Sequence, residues 1–289
     1  MAIAEGRSAS LFDEQSLSIS IGIGYERGTA NEYVYNPDGS KLSQLIWKYD
    51  NIPVLKGQLD WNAAPDLRFS ASTAINLAQS STMDDWDWGD DTCPDYICHS
   101  HHNDTRLKQQ TSFDLSISKE LADFNPIKFS ALAGYRFDYS KWEAWGGWAN
   151  YDPEPFPNTL VIRYEQWWQT PYIGIHLQAD HGKWHYQGQL TGSWWVQSHD
   201  RDDHRLTTTL FREQFHPTEM IAVSSEIGYQ IEKSISLNLT YEYRRYGTGK
   251  GVTKWHDYSL GEYGGGDGYD DAGANNITQN IGLSMRYHF

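Results

Sequence analysis

Apolar and polar residues alternate along most of this chain. Leu17, Ile19, Ile21, Ile23 and Tyr25 are separated by Ser and Gly; Leu67, Phe69, Ala71, Thr73, Ile75 and Leu77 alternate with Arg68, Ser70, Ser72 and Asn76. The pattern returns in Phe113-Leu115-Ile117, Ile127 to Tyr135, Ile173-Ile175-Leu177, Val223 to Ile231, Ile235 to Tyr243 and Ile281 to Phe289. A period of two means extended strands with one apolar and one polar face. No apolar run approaches the roughly 18 residues of a membrane helix, so a helical membrane protein is excluded. The low mean hydropathy of −0.67 does not exclude a membrane β-barrel, whose lumen and outer loops are polar.

The connections alternate as well. Short ones fall near 63–66, 122–126, 180–183 and 231–234, and longer polar ones near 36–40, 83–104, 149–158, 200–205 and 256–274. Short turns at one end and long loops at the other are the mark of a bacterial outer-membrane barrel. The pattern predicts an all-β, ten-stranded antiparallel transmembrane barrel with short periplasmic turns and long extracellular loops. Many strands span roughly 16–20 residues, against the 9–11 that cross a bilayer, so the barrel should extend above the outer membrane. A soluble β-sandwich would need shorter strands and a second sheet to cover the apolar face. Here that face carries Trp47, Trp61, Trp184, Tyr229, Tyr241, Tyr243 and Tyr287, as an interfacial belt does. The terminal Phe289 on a last strand also resembles many outer-membrane proteins. One domain is expected over 1–289. Residues 1–14 form an N-terminal segment without signal-peptide character, expected to be the mature start after a signal has been removed.

The formal net charge of −15 argues against nucleic acid, which needs a face of Lys and Arg, and favours cationic partners. Cys93 and Cys98 suit a small disulfide loop. Zinc binding with His99, His101 and His102 is the weaker alternative, since a lone pair of this spacing is a poor zinc signal.

Two polar clusters stand out. STMDDWDWGDDT (81–92) carries Asp85 and Asp87, and SHDRDDHR carries Asp200, Asp202, Asp203 and His204. Residues i and i+2 of an extended segment share a face. Two close carboxylates do not ionise together easily, so such a pair can hold a proton and polarise a water. A His oriented by a carboxylate can take a proton from that water. An acidic loop that is merely solvated, or that binds Ca²⁺, is the plainer reading. Parity stands against a shared cleft. Asp85 and Asp87 are odd-numbered, like the lipid-facing residues before them; Asp202 and His204 are even, like Trp184, Tyr186, Leu190, Trp194 and Val196. Both clusters would point outward unless a bulge resets the phase.

The chain resembles the omptin family of Gram-negative outer-membrane proteases. The resemblance rests on KLSQLIWKYDN (41–51), LKGQLDW (55–61), MDDWDW (83–88), AGYRF (133–137), PYIGI (171–175), WVQSHDRDDH (195–204) and the last strand. It implies an endopeptidase in the bacterial outer membrane with its active site facing the exterior, cleaving next to basic residues. Asp202 and His204 correspond to an Asp–His dyad, Asp85 and Asp87 to the opposing carboxylates, and a water between them to the nucleophile. Glu32 and Asp200 correspond to an acidic pocket for the basic side chain before the scissile bond. Trp86 and Trp88 are expected to shape and partly desolvate the site, and Asp84, Asp90 and Asp91 to be solvated rim charge. Ser43 and Ser100 match positions once considered nucleophiles, but no base is tied to either in the sequence. The partners implied are cationic peptides or proteins and outer-membrane lipid. No metal or other cofactor is implied beyond a requirement for lipopolysaccharide, which is left open: the lipid A phosphate positions read Phe137, Tyr139 and Trp167, and only Tyr135 fits. The cysteine pair is a further departure, in the loop bordering the far side of the cleft, and leaves preference after the scissile bond open. A non-enzymatic adhesin or receptor barrel with an acidic binding face is the competing function. A lipase would need a Ser–His pair that the sequence does not reveal.

Overall fold

The computed structural model describes residues 17–89, 91–266 and 268–289; the expected N-terminal segment (1–14) and Asp90 lie outside the described residues. Ten antiparallel strands close into a ring. They are β1 (Leu17–Tyr35), β2 (Lys41–Ala64), β3 (Leu67–Asn76, resuming as Ser80–Trp88), β4 (Ile97–Asp123) and β5 (Ile127–Trp145). Then follow β6 (Leu160–His181), β7 (Trp184–His204), β8 (Thr209–Phe215, resuming as Thr218–Glu232), β9 (Ile235–Asp257) and β10 (Ala272–His288). Each strand pairs with the next, and β10 pairs with β1, from Ser18↔His288 to Val34↔Ala272. Closure pairs each of the ten strands on both sides, which an apolar bilayer demands. The longest strand, β4, has 27 residues, more than twice what crosses a membrane.

The strands run further than their composition suggests. The segments 83–104 and 200–205, expected as loops, are largely strand: β3 continues to Trp88, β4 begins at Ile97, and β7 runs through His204. Asp85, Asp87, Asp202 and His204 therefore stand on the upper ends of strands. Paired backbone holds a side chain more firmly than a loop would.

The lower half obeys simple alternation. Ile21, Ile23, Leu115, Ile175, Leu239, Leu283 and Met285 face outward and are exposed, forming the band that meets lipid. Polar residues face the lumen, where charges pair: Arg136 Nε lies 3.0 Å from Asp138 Oδ2 and Arg286 Nη1 lies 2.8 Å from Glu226 Oε1.

Higher up the phase changes. In β7, Trp194 and Trp195 are consecutive and both exposed. The strand carries one extra residue there against each neighbour: Gln169↔Gln197 is followed by Ile173↔Gly192, and Thr218↔Val196 by Met220↔Ser193. Below this bulge Ser193 is buried; above it Val196, Ser198, Asp200 and Asp202 are. In β2 the extra residue falls at Asn51, whose φ of +54° is the left-handed conformation that Asn tolerates. Lys56 and Asp60 line the lumen below, whereas Ser43, Leu45, Trp47 and Tyr49 point inward above. The break in β3 at 77–79 does the same, so Ser81 and Met83 are buried.

The inverted phase fills the upper lumen. Trp47, Tyr49, Met83, Leu107, Trp142 and Tyr164 form a core there, and Trp47 stacks on Tyr164 at 5.4 Å between centroids. Trp47, expected in the outer belt, is thus fully buried because the bulge at Asn51 turns it inward. A second core holds Trp168 against Tyr246 at 4.5 Å. Above the bilayer there is no lipid to cover apolar side chains, so burial in the lumen is what the hydrophobic effect favours.

Candidate active site

The two carboxylates of β3 follow from the phase change. Asp85 pairs in register with Leu45 on β2 and Ser100 on β4, and Asp87 with Ser43 and Cys98. Ser43 Oγ donates to Asp85 Oδ1 across 3.5 Å. The intervening residues turn the other way. Asp84 Oδ1 is held by His99 Nε2 at 3.0 Å and His101 Nδ1 at 2.8 Å, and Trp86 stacks on His99 at 3.8 Å. Trp88 faces Lys41. The two tryptophans therefore do not desolvate the site as expected, and Asp84 is a bound group rather than loose rim charge. Strand alternation sends both to the outer face. The residues buried beside Asp85 are Leu45, its register partner, and Met83, two positions before it on the same face.

On β7, Asp202 and His204 share the inward face, and His204 Nε2 is hydrogen-bonded to Asp202 Oδ2. Asp202 is 1% exposed, while the imidazole reaches solvent and meets Phe211 edge-on at 5.2 Å. β7 stands across the barrel from β3, and the two sets converge: the charges of Asp85 and Asp87 act on His204, and those of His204 and Asp202 act on Asp85. Burial, then the neighbouring Asp87 charge, pushes Asp85 up to about 7. Burial disfavours a charged His204, but the Asp202 carboxylate outweighs it, with help from Asp85 and Asp87, and holds its pKa up at about 9.

Below this cleft lies a buried acidic pocket. Glu32 on β1 and Asp200 on β7 are 2% and 3% exposed. Tyr164 Oη donates to Asp200 Oδ2 over 2.8 Å and is itself steadied by Gln166 Nε2 at 2.8 Å. The aromatic core and the pocket thus share Tyr164. A third acid joins them that the sequence reading missed. Glu213 on β8 is 3% exposed, and one carboxyl oxygen from each of Glu32, Asp200 and Glu213 lies within 4.8 Å of the other two. The signal was there: the tight turn after His204 pairs Glu213 with Asp200 across the hairpin. Burial first, then the charges of Asp202 on Glu32 and of Glu213 on Asp200, raise both well above ordinary carboxylates. Burial and the Asp202 charge push Glu213 up to about 8.

Ser43 serves Asp85 and has no imidazole partner among the described residues. Ser100 does: its Oγ lies 3.2 Å from His102 Nε2, a pair the sequence did not reveal. His102 is 1% exposed, its Nδ1 is bonded to the Gly146 carbonyl, its ring stacks on Phe156, and burial lowers its pKa. Sealed in this way, the pair offers no open side to a substrate carbonyl. The sulfurs of Cys93 and Cys98 are bonded to each other, which leaves neither as a zinc ligand. Of the positions expected to meet lipid A, Tyr139 packs on Trp167 at 5.1 Å, Trp167 on His199 at 4.8 Å, and Tyr135 Oη donates to Gln169.

The profile of the omptin family matches residues 13–289. The plasminogen activator of Yersinia pestis is 28% identical over 281 residues, covering 95% of this chain and 90% of that protein. The outer membrane protease OmpP of Escherichia coli K12 is 29% identical over 269 residues, covering 88% and 85%. The crystal structure of the outer membrane protease OmpT from Escherichia coli superposes with a TM-score of 0.88 at 26% identity, covering 98% of this chain and 99% of that one.

Proposed function

Since the chain belongs to the omptin family and is an outer-membrane protease of the β-barrel type, we propose that it is an endopeptidase cutting beside basic residues with a water as nucleophile. One observation carries this reading: Asp85 and Asp87 on β3 face Asp202 and His204 on β7 above a pocket of buried carboxylates. A cationic side chain entering the pocket would find charge-assisted acceptors, and the peptide bond beside it would lie over the cleft.

The proton inventory fits water activation. Between about pH 7 and about pH 9 Asp85 and His204 together hold a single proton, so the step belongs to the pair. With that proton on the carboxyl of Asp85, neutral His204 takes a proton from the water while Asp202 orients its ring. The hydroxide adds to the carbonyl carbon. The imidazolium then passes its proton to the leaving nitrogen, and no covalent enzyme intermediate forms. With the proton on His204 instead, Asp85 plays the base. Below about pH 7 the pair gains a second proton, and above about pH 9 it loses the last one. Activity should fall on both sides of that window.

Lipopolysaccharide is the candidate activating partner, and the stacked rings of Tyr139, Trp167 and His199 are poor acceptors of lipid phosphate. Its effect is expected to be altered accordingly. The test is cleavage of fluorogenic peptides by the refolded barrel, with and without lipopolysaccharide. A peptide centred on Arg-Arg should be cut between the two residues, and the same peptide with Gly-Gly should not. Binding of the Arg-Arg peptide without cleavage in either lipid condition would favour a receptor barrel and refute the proposal.

A further inference from the structure

The third acid of the pocket has work that the first two do not explain. Glu32 Oε2, Asp200 Oδ1 and Glu213 Oε2 are buried and face no donor among the described residues. Their companions are engaged: Tyr164 donates to Asp200 Oδ2, and Thr253 Oγ1 donates to Glu213 Oε1 at 2.8 Å. The carboxyls of Asp200 and Glu213 lie close enough to share a proton. Burying unpaired acceptors is costly; a proton shared by Asp200 and Glu213 satisfies two of these, the Glu32 oxygen is left over, and a cationic guest would serve all three.

The shape of the triad says more about the guest. A guanidinium is a flat fork matched to one carboxylate or two in its plane. An ammonium carries three donors set tetrahedrally on one nitrogen. The three carboxyl groups offer oxygens within 4.8 Å of one another, each from a different strand. Glu213 adds a third carboxyl to those of Glu32 and Asp200, one for each ammonium donor.

Resting on the proposed endopeptidase activity, we propose that Glu213 is a specificity residue that fits this pocket to the ammonium of lysine as well as to the guanidinium of arginine. Its position on β8 is fixed by the ladder to Asp200 and by Thr253 on β9, so it is held for the guest before the guest arrives.

The experiment compares two fluorogenic peptides that differ only in Arg or Lys before the scissile bond. They are assayed with wild type, Glu213→Gln, Glu213→Ser and Glu213→Asp, each checked for the folded barrel by its heat-modifiable migration on gels. Loss of one charged hydrogen bond should lower kcat/KM for the Lys peptide by about tenfold to a hundredfold more than for the Arg peptide in the Gln and Ser variants. The change should lie chiefly in KM, with Asp restoring part of it. Equal losses on both peptides, or retained cleavage at Lys, would overturn the role of Glu213 while leaving cleavage at basic sites standing. A wild type that cuts neither peptide would remove the underlying activity instead. A Lys activity abolished by EDTA and restored by Ca²⁺ would mean the triad holds a metal ion, which also overturns the proposal.

Discussion

The lower and upper halves of this barrel use the same ten strands in opposite senses. In the lower half the apolar face looks outward to lipid and the polar face inward, so that Leu283 is exposed while Arg286 is buried in the lumen. In the upper half the inward face takes Trp47, Trp142 and Tyr164 together with Asp85, Asp200 and Asp202. A single extra residue per strand makes the change, at Asn51 in β2 and at Trp194-Trp195 in β7. The solvent around each half decides which face is apolar, and the bulge lets one strand satisfy both. The carboxylates proposed to be catalytic sit inside the barrel only because the strand has turned over before it reaches them.

The most severe way to break this contrast is to delete Trp195. Without the extra residue the ladder above it turns over, and Asp200, Asp202 and His204 face solvent. Peptide hydrolysis should be lost while the lipid-embedded half still forms, read by gel migration and by far-UV circular dichroism. Trp47→Ala should cost about 3–5 kcal/mol of stability, since its indole fills the upper lumen against Tyr164; a urea titration of the refolded barrel would measure it. Leu283→Arg inverts the test in the lower half, where charge on the lipid face should cost about 2–4 kcal/mol. A loss from Trp47→Ala smaller than from an exposed lower residue would contradict the inversion. The smallest effect belongs to Asp84→Asn. It breaks contacts to His99 and His101 on the outer face, and partly exposed pairs of this kind contribute about 0.2–1 kcal/mol, with little change in hydrolysis.

The lower half was legible in the sequence because lipid imposes a strict period of two over many residues. The upper half was legible only as a contradiction. Counting parity from Leu67 onward puts Asp85 outside, and counting from Trp184 puts His204 outside; both counts fail at bulges. One of these was visible as Trp194-Trp195, two large apolar residues in succession where alternation allows one. The other, at Asn51, has no apolar mark, because its signal is a backbone angle. Trp47 was misplaced for the same reason. The site residues Asp85, Asp87, Asp202 and His204 stood out as two polar clusters, and the motif resemblance, which is insensitive to phase, assigned them to one site. Glu213 lay outside those motifs and needed the hairpin pairing to reach Asp200. Ser100 and His102 sit two residues apart on one strand, and their pairing depended on a ring orientation that spacing does not fix.

The proposed activation of one water between β3 and β7 is tested most directly by the pH profile of kcat/KM on an Arg-Arg peptide, for wild type, Asp85→Ala and His204→Ala. Wild type should give a bell with limbs near 7 and 9, the values set by burial and by the facing carboxylates. Each variant should lose about 10²–10⁴ in rate within that window while migrating as a folded barrel. A folded His204→Ala or Asp85→Ala protein that hydrolyses the peptide at the wild-type rate would contradict the shared site.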